Sequence, residues 1–223
     1  AAGILRSLAR AEVTRPPFPT ETERERVVAR AQAETGITLA PAQLEAVRAA
    51  LGRRLVVVTG GPGTGKTTIL NVLLAACRQI EIRALLAAPT GRGARRMAEA
   101  TGHEARTIHR LLEYAPGRGF QRSAGRPLQC DLLVVDETSM VDIQLAYRLL
   151  DALPAGCGLL LVGDANQLPS VGPGQLLRDL IASGAAAVVE LTEIYRQAGE
   201  SGIVANANRI LLGLLLRMSD TAA

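Results

Sequence analysis

The feature that most constrains the fold is a glycine-rich segment, GGPGTGKT, at residues 60–67. An apolar, β-branched run at residues 55–59 precedes it and predicts a buried strand, and a helical period at residues 66–78 follows it. Glycines at this spacing let backbone N–H groups converge on phosphate oxygens, and the start of the helix adds positive potential. The segment therefore predicts a cradle for the phosphates of a nucleotide.

Two side chains of this loop have predicted chemical roles. Lys66 is expected to reach the terminal phosphates and assist catalysis, and the Thr67 hydroxyl is expected to ligate magnesium. Lys66 is the only lysine among 25 basic residues, and a compact ammonium on a slim stem suits this loop where a planar guanidinium does not. The predicted ligands are ATP and Mg²⁺. The residues expected to bind the nucleotide are Gly61, Pro62, Gly63, Thr64, Gly65, Lys66, Thr67 and Thr68.

Two further apolar runs end in polar residues. LLVVDE ends in Asp136, expected to hold Mg²⁺ directly or through water, and Glu137, expected to polarise the attacking water as general base. LVGDANQLP presents Gln167, predicted to hydrogen-bond the γ-phosphate or the attacking water. A polar turn capped by Asp164 would explain the LVGDANQLP segment equally well.

Apolar runs and helical periods alternate along the chain. A capping box at Thr20–Glu23 predicts a helix that ends near Thr35, and a second helix is expected between Pro41 and Gly52. Continuous apolar strands between helices predict an α/β fold of the P-loop NTPase type, a parallel sheet with helices on both faces. The further strands are predicted at residues 83–88, 131–135, 159–162 and 187–191, and the further helices at 91–100, 107–113, 142–153 and 174–183.

Composition excludes several classes of protein. A hydrophobic content of 48% supports a sizeable core, while no apolar stretch is long enough to span a membrane and no signal-peptide pattern begins the chain. We therefore expect a cytoplasmic protein without a membrane partner. The three cysteines, Cys77, Cys130 and Cys157, are far apart and odd in number, which favours buried thiols over a disulfide framework or a zinc site.

Positive charge is concentrated between residues 91 and 129. Eight arginines stand there against three glutamates, whereas the whole chain carries a net charge of +4. A local excess of this kind predicts a surface for a polyanion, and Arg95 and Arg96 are assigned to it. The alternative is a solvated face on which arginines occur by chance.

Six motifs occur in a fixed order: GGPGTGKT, APTGRGARRM, TIHRLL, VVDETSMVD, VGDANQLPSVGPG and LTEIYRQ. Together they resemble superfamily 1 DNA helicases, in particular the RecD-like branch, which includes the α-subunit type of exonuclease V. The resemblance covers roughly residues 37–212 and implies a RecA-like first motor lobe that hydrolyses ATP. It also implies movement from 5′ to 3′ on single-stranded DNA, a role in DNA repair and recombination, and partner subunits of the exonuclease V type.

The resemblance assigns two further residues to the nucleotide. Gln43 matches a glutamine that reads the adenine edge, although by itself it is a polar residue on an amphipathic helix. Arg196, in LTEIYRQ, matches an arginine that reaches the γ-phosphate and stabilises charge in the transition state. A surface salt bridge is the alternative for Arg196.

The resemblance also assigns residues to DNA. Pro89, Thr90 and Gly91 match a segment that contacts DNA phosphates, and Thr107 and His109 match a second segment that grips the strand. His109 taken alone fits a packed helix residue equally well. Because the chain has so few aromatic residues, we expect binding mainly through arginine and backbone contacts, with little base preference and a strong salt dependence.

We expect three parts along the chain. Residues 1–36 form a linker or helical remnant, residues 37–212 the motor lobe with a wedge-like insertion at about 114–129, and residues 213–223 a tail. A second lobe is not recognisable, so the chain alone is not expected to unwind DNA. One alternative function is a nucleotide-dependent module that binds single-stranded DNA without appreciable turnover. Another is the helicase domain of a relaxase, and a P-loop kinase is disfavoured because no arginine-rich lid is evident.

Overall fold

The computed structural model describes residues 18–193, which form one sheet flanked by helices. The strands are β1 (Leu55–Gly60), β2 (Ala84–Ala88), β3 (Ala105–Thr107), β4 (Leu132–Val135), β5 (Gly158–Gly163) and β6 (Ala187–Leu191). The helices are α1 (Glu21–Thr35), α2 (Pro41–Ala50), α3 (Lys66–Gln79), α4 (Gly91–Thr101), α5 (Ile108–Leu111), α6 (Ile143–Asp151) and α7 (Leu176–Ser183). A 3₁₀ turn follows β4 at Thr138–Met140.

All six strands are parallel, in the order β3-β2-β4-β5-β1-β6. β5 lies between β1 and β4, so the glycine-rich loop after β1 and the carboxylates after β4 stand on either side of the end of β5. The carboxyl ends of parallel strands share one edge of the sheet, where ligands of open α/β sheets bind.

Alternate strand residues point into two separate cores. Val134 and Leu160 belong to the core formed with α1, α2, α3 and α4, whereas Leu133 and Leu161 belong to the core formed with α5, α6 and α7. The central strands are buried on both faces, which explains their continuous apolar sequences. The predicted α/β fold, a RecA-like parallel sheet with helices on both faces, is confirmed.

The ends of α1 follow the sequence signals. Glu23 accepts hydrogen bonds from the backbone N–H of Thr20 at 3.0 Å and from its hydroxyl at 2.7 Å, and Gly36 ends the helix with a left-handed φ of 66°. The predicted capping box and stop signal are therefore confirmed. Val28 and Ala31 of this helix are buried in the core that α1, α2, α3 and α4 form with the sheet.

The region after α4 differs from the prediction. A single helix was expected over residues 107–113, but Thr107 ends the short strand β3 and the helix covers only Ile108–Leu111. β3 pairs in parallel with β2, and Ala88 stands opposite Thr107. Three residues are too few to show a strand period, so this edge strand forms through its pairing with β2 rather than through a pattern of its own.

The predicted insertion consists of two tight turns rather than a continuous hairpin. Isolated antiparallel bridges join Ala115 to Gly119 and Ser123 to Arg126. Phe120 packs against the second core. The turns are therefore anchored on the lobe by an aromatic side chain.

All three cysteines are buried, as predicted, and Sγ of Cys130 lies 3.6 Å from Sγ of Cys157. Burial raises the pKa of the Cys77 thiol to about 12. Between residues 18 and 193, no helix is both long and apolar enough to cross a membrane.

Candidate nucleotide-binding site and nucleic-acid interface

A cavity of about 1090 Å³ opens at the carboxyl edge of the sheet. The segments that follow β1 and β4, the end of β5, the start of α3 and one side of α4 contribute to its wall. The residues that line it and that the sequence assigned to ATP or Mg²⁺ are Gln43, Pro62, Gly63, Thr64, Gly65, Lys66, Thr67, Thr68, Asp136, Glu137 and Gln167. Gly61 is not part of the lining, but its carbonyl group accepts hydrogen bonds from two residues that are.

The glycine-rich loop has the backbone shape that a phosphate cradle needs. Gly63 and Gly65 have positive φ values of 78° and 82°, a region in which side chains are strained. The Lys66 ammonium donates hydrogen bonds to the carbonyl groups of Gly60 at 2.5 Å and Gly61 at 2.7 Å, and the Thr64 hydroxyl donates to Gly61 at 2.9 Å. The loop is thereby closed around its own lysine at the start of α3.

Burial lowers the pKa of Lys66, while the nearby carboxylates of Asp164 and Asp136 raise it. An ammonium group in this position is stabilised by negative charge. The triphosphate of a nucleotide supplies such charge, so the electrostatics of the loop fit the predicted ligand.

The Asp136 carboxyl follows β4 and faces the same cavity. Burial raises its pKa, the neighbouring Glu137 carboxylate adds to the shift, and the charges of Lys66 and Arg96 oppose it. The Asp136 carboxylate and the Thr67 hydroxyl line the same cavity, and oxygen donors of these two types suit Mg²⁺. The residues present therefore fit the predicted metal.

Glu137 has an unusual backbone conformation. Its φ is 54°, which is uncommon for a residue other than glycine, and its N–H donates to Oδ1 of Asp136 at 2.8 Å. Oε2 accepts a hydrogen bond from the Thr90 hydroxyl at 3.1 Å, and Oε1 pairs with the Arg96 guanidinium. The side chain is thus held between β4 and α4.

Gln43 is buried, with 3% of its surface exposed. Its Oε1 accepts from the backbone N–H of Ala40 at 3.1 Å, and its Nε2 donates to the carbonyl group of Thr64 at 3.2 Å. Gln43 therefore braces the glycine-rich loop and is not a solvated polar residue on a helix surface. Its reading of the adenine edge stays a prediction.

The region from residue 43 to residue 173 matches the family described as AAA domain, which is more than half of the chain. The chain is 46% identical over 162 residues to the ATP-dependent RecD2 DNA helicase of Deinococcus radiodurans, a match covering 73% of this chain and 22% of that protein. It is 40% identical over 205 residues to the RecBCD enzyme subunit RecD of Mycobacterium tuberculosis, covering 78% and 36%. The chain belongs to the AAA domain family, as a RecD-like helicase motor lobe.

The fold is also similar to that of the Pif1 helicase from Candida albicans, with a TM-score of 0.58 at 23% identity over 78% of this chain and 44% of that chain. The RecD-like lobe spans well under half the length of the two curated relatives it matches.

The two segments of this RecD-like lobe predicted to bind DNA lie side by side. Pro89, Thr90 and Gly91 follow β2, and Thr107 ends the neighbouring β3. The backbone N–H of Arg110 donates to the Thr107 hydroxyl at 3.2 Å. The pairing of β2 with β3 therefore brings the two segments to one edge of the sheet.

His109 is exposed and belongs to a cluster of three aromatic rings. Its ring centroid lies 5.6 Å from that of Tyr114 and 5.5 Å from that of Phe120. The centroids of Tyr114 and Phe120 are 5.0 Å apart. The insertion therefore places aromatic surface next to the predicted DNA segment, which the small number of aromatic residues did not indicate.

Ion pairs occupy much of the basic stretch. The pairs are Arg95–Glu99 at 2.8 Å, Arg106–Glu104 at 2.7 Å, Arg122–Glu113 at 2.6 Å and Arg126–Glu113 at 2.9 Å. Arg96 also lines the nucleotide cavity, where it pairs with Glu137. The residue predicted to bind DNA and the residue predicted to activate water are therefore in direct contact.

The sequence left the role of Asp164 open, and the structure places it in the site. It is buried at the end of β5, lines the cavity, and its charge raises the pKa of Lys66. It also caps its turn, because Oδ1 accepts from the N–H of Asn166 at 2.9 Å. Gln167 is exposed beside it, with Oε1 3.5 Å from the Ser139 hydroxyl. Arg196 lies outside the described residues.

Proposed function

We propose that this chain binds and hydrolyses magnesium ATP and binds single-stranded DNA as the first motor lobe of a RecD-like DNA helicase. The observation that carries the proposal is that one cavity, at the ends of three neighbouring strands, brings together Lys66, Asp136, Glu137 and Gln167. Movement from 5′ to 3′, a role in repair and recombination, and partner subunits like those of RecBCD extend the proposal by similarity to the RecD proteins.

The chemistry follows from the position of each side chain. The glycine-rich loop and Lys66 bind the phosphates, and Thr67 and Asp136 would hold Mg²⁺, which when bound neutralises phosphate charge. Glu137 accepts a proton from water as the water oxygen bonds to the γ-phosphorus and the bond to the bridging oxygen breaks. We assign Gln167 to orienting that water and Arg196 to stabilising charge on the transferred phosphoryl group.

DNA binding is proposed along the edge formed by the ends of β2 and β3. Thr90 offers a hydroxyl group, Arg95 and Arg96 offer exposed guanidinium groups on α4, and Thr107 and His109 lie on the adjacent segment. Hydroxyl and guanidinium groups are typical donors to phosphate oxygens and carry little base preference. The strand would therefore run past the nucleotide cavity.

A titration of the 223-residue chain with a fluorescent ATP analogue and Mg²⁺ tests the nucleotide site. Lys66→Ala is expected to weaken binding at least tenfold, because about 1.4 kcal/mol of lost interaction changes affinity by that factor. Arg118→Ala, which removes a positive charge from the insertion, is the matched control and is expected to bind as the parent does. Equal affinities of the parent and Lys66→Ala would contradict the site assignment.

A second titration tests the DNA edge with a labelled oligothymidylate at several salt concentrations. Charge reversal at both Arg95 and Arg96 to Glu is expected to weaken binding and reduce the slope of log affinity against log salt by about one to two, since fewer counterions are released. An unchanged slope would mean that the DNA strand does not contact Arg95 and Arg96 and follows another path.

A second candidate function is a nucleotide-dependent DNA-binding module without appreciable turnover. Both carboxylate oxygens of Glu137 are engaged by protein donors, which favours a slow resting hydrolysis. Turnover stimulated by single-stranded DNA supports the motor, whereas binding of ATP and DNA without turnover supports the module.

A further inference from the structure

The Glu137 carboxylate is bound by two side chains of the segment that we assign to DNA. Its Oε2 accepts from the Thr90 hydroxyl at 3.1 Å, and its Oε1 pairs with the guanidinium of Arg96. The two donors come from the end of β2 and from α4, more than 40 residues away from Glu137 in sequence. The contact therefore joins the DNA edge to the nucleotide cavity.

Thr90 has only one proton to donate. Its hydroxyl oxygen accepts from the backbone N–H of Gly93 at 3.0 Å and so caps α4, while its proton goes to Glu137. A hydroxyl group cannot donate the same proton both to a carboxylate and to a DNA phosphate. The two acceptors therefore compete for Thr90.

A carboxylate and a DNA phosphate also compete for the guanidinium group of Arg96. Its side chain is 64% exposed and can reach a strand, whereas the Glu137 side chain is only 16% exposed and is turned inward. A guanidinium group binds carboxylate and phosphate with similar geometry. A phosphate that engages Arg96 therefore weakens the ion pair to Glu137.

The position of the Glu137 carboxylate also depends on a glycine of α4. A Cβ atom at Gly93 would lie 2.3 Å from Oε2 of Glu137 and 2.8 Å from its carboxyl carbon. The carboxylate is thus seated directly on the first turn of α4, in a space that only glycine leaves open. Each carboxylate oxygen accepts from one donor there, so the carboxylate is held against α4 and is not free to turn toward an attacking water.

We propose that a DNA phosphate displaces Glu137 from Thr90 and Arg96, so that binding of the strand frees the carboxylate of the general base within the nucleotide cavity that it lines. This inference rests on the proposed function and specifies how the same site is regulated. Without DNA the two donors fix the Glu137 carboxylate against α4. With DNA they turn to the phosphate, and the free carboxylate can accept the proton of the attacking water.

The competition predicts an effect on DNA binding that needs neither ATP nor turnover. Coupling between two sites is reciprocal, so removing the charge of Glu137 strengthens binding of the strand to the freed donors. In an anisotropy titration of labelled oligothymidylate without nucleotide, Glu137→Gln is expected to tighten binding by about fivefold or more. The full 223-residue chain is used throughout.

A double-mutant cycle separates this competition from a general effect of charge. In the Arg96→Ala background, Glu137→Gln is expected to lose most of its effect, because the contested donor is gone. Arg92→Ala is the matched background. It removes the same charge one helical turn earlier, and Arg92 makes no ion pair within residues 18–193, so the tightening should persist there.

Equal affinities of the parent and Glu137→Gln would overturn the inference, as would the same tightening in the Arg96→Ala background. In either case the proposed function stands if Lys66→Ala still loses ATP and the parent still binds DNA. A parent chain that does not bind the oligonucleotide would contradict both proposals.

Discussion

At the scale of single residues, the two carboxylates after β4 have different surroundings, which suits the different roles that we propose for them. Asp136 lines the cavity, and one of its carboxylate oxygens accepts a hydrogen bond from the N–H of Glu137. Glu137 has a left-handed backbone and extends toward α4. Adjacent residues can therefore serve metal binding and proton transfer separately.

Glu137→Gln is expected to retain ATP binding and to lower hydrolysis by about 10²- to 10⁴-fold, because an amide cannot accept the proton of water. Nucleotide binding and single-turnover hydrolysis measure the two effects separately. Glu81→Gln is the matched control, since Glu81 is an exposed glutamate with a similar φ of 57°, and it should hydrolyse ATP at the parent's rate. Hydrolysis by Glu137→Gln at that same rate would remove Glu137 from the mechanism.

Most of the residues that the sequence assigned to the nucleotide line one cavity, whereas the sequence did not predict their contacts. The glycine-rich loop is one contiguous segment, so the spacing of its residues was enough to predict a phosphate-binding loop. The contact of Glu137 with Arg96 was not predictable, because the partners are 41 residues apart and meet only when β2 pairs with β4. The role of Asp164 was left open for the same reason. Asp164 and Lys66 are far apart in sequence, and the charge of Asp164 reaches Lys66 because β1 pairs with β5.

At the scale of secondary structure, single polar residues mark where helices begin. Asp142 stands at the start of α6, where its Oδ1 accepts from the N–H of Leu145 at 2.8 Å. The strands with continuous apolar sequences were predicted within one or two residues of their bounds. β3 was not, because it has only three residues and one of them is Arg106.

Asp142→Ala is expected to lower the free energy of unfolding by about 1 kcal/mol, because it leaves a backbone N–H at the start of α6 without its cap. Asp142→Asn keeps an acceptor oxygen and should lose much less. Urea unfolding of the three proteins measures the difference. Equal losses in both variants would mean that the charge of Asp142, and not its cap, matters.

At the scale of the whole molecule, the sheet has an apolar core on each face, and the candidate site lies at its carboxyl edge. Leu160 lies at the centre of β5 and is fully buried, whereas Leu168, in the loop after β5, is 87% exposed. Only eight positions therefore take the chain from the buried core to the exposed surface at the carboxyl edge of the sheet.

Leu160→Ala is expected to destabilise the lobe by about 2–5 kcal/mol through lost burial and a residual cavity. Leu168→Ala should change the free energy of unfolding by roughly 0.5 kcal/mol or less, as surface substitutions usually do. Chemical denaturation measures both. Similar effects of the two substitutions would contradict the packing of β5 between two cores.

The central claim is that the edge of this sheet is an ATP-hydrolysing site that responds to DNA. The most direct measurement is magnesium-dependent ATP hydrolysis by the 223-residue chain, with and without single-stranded DNA, beside Lys66→Ala. We expect hydrolysis that rises with DNA and is lost in the variant. Equal rates in the parent and in Lys66→Ala, or no hydrolysis by the parent with or without the strand, would contradict the account.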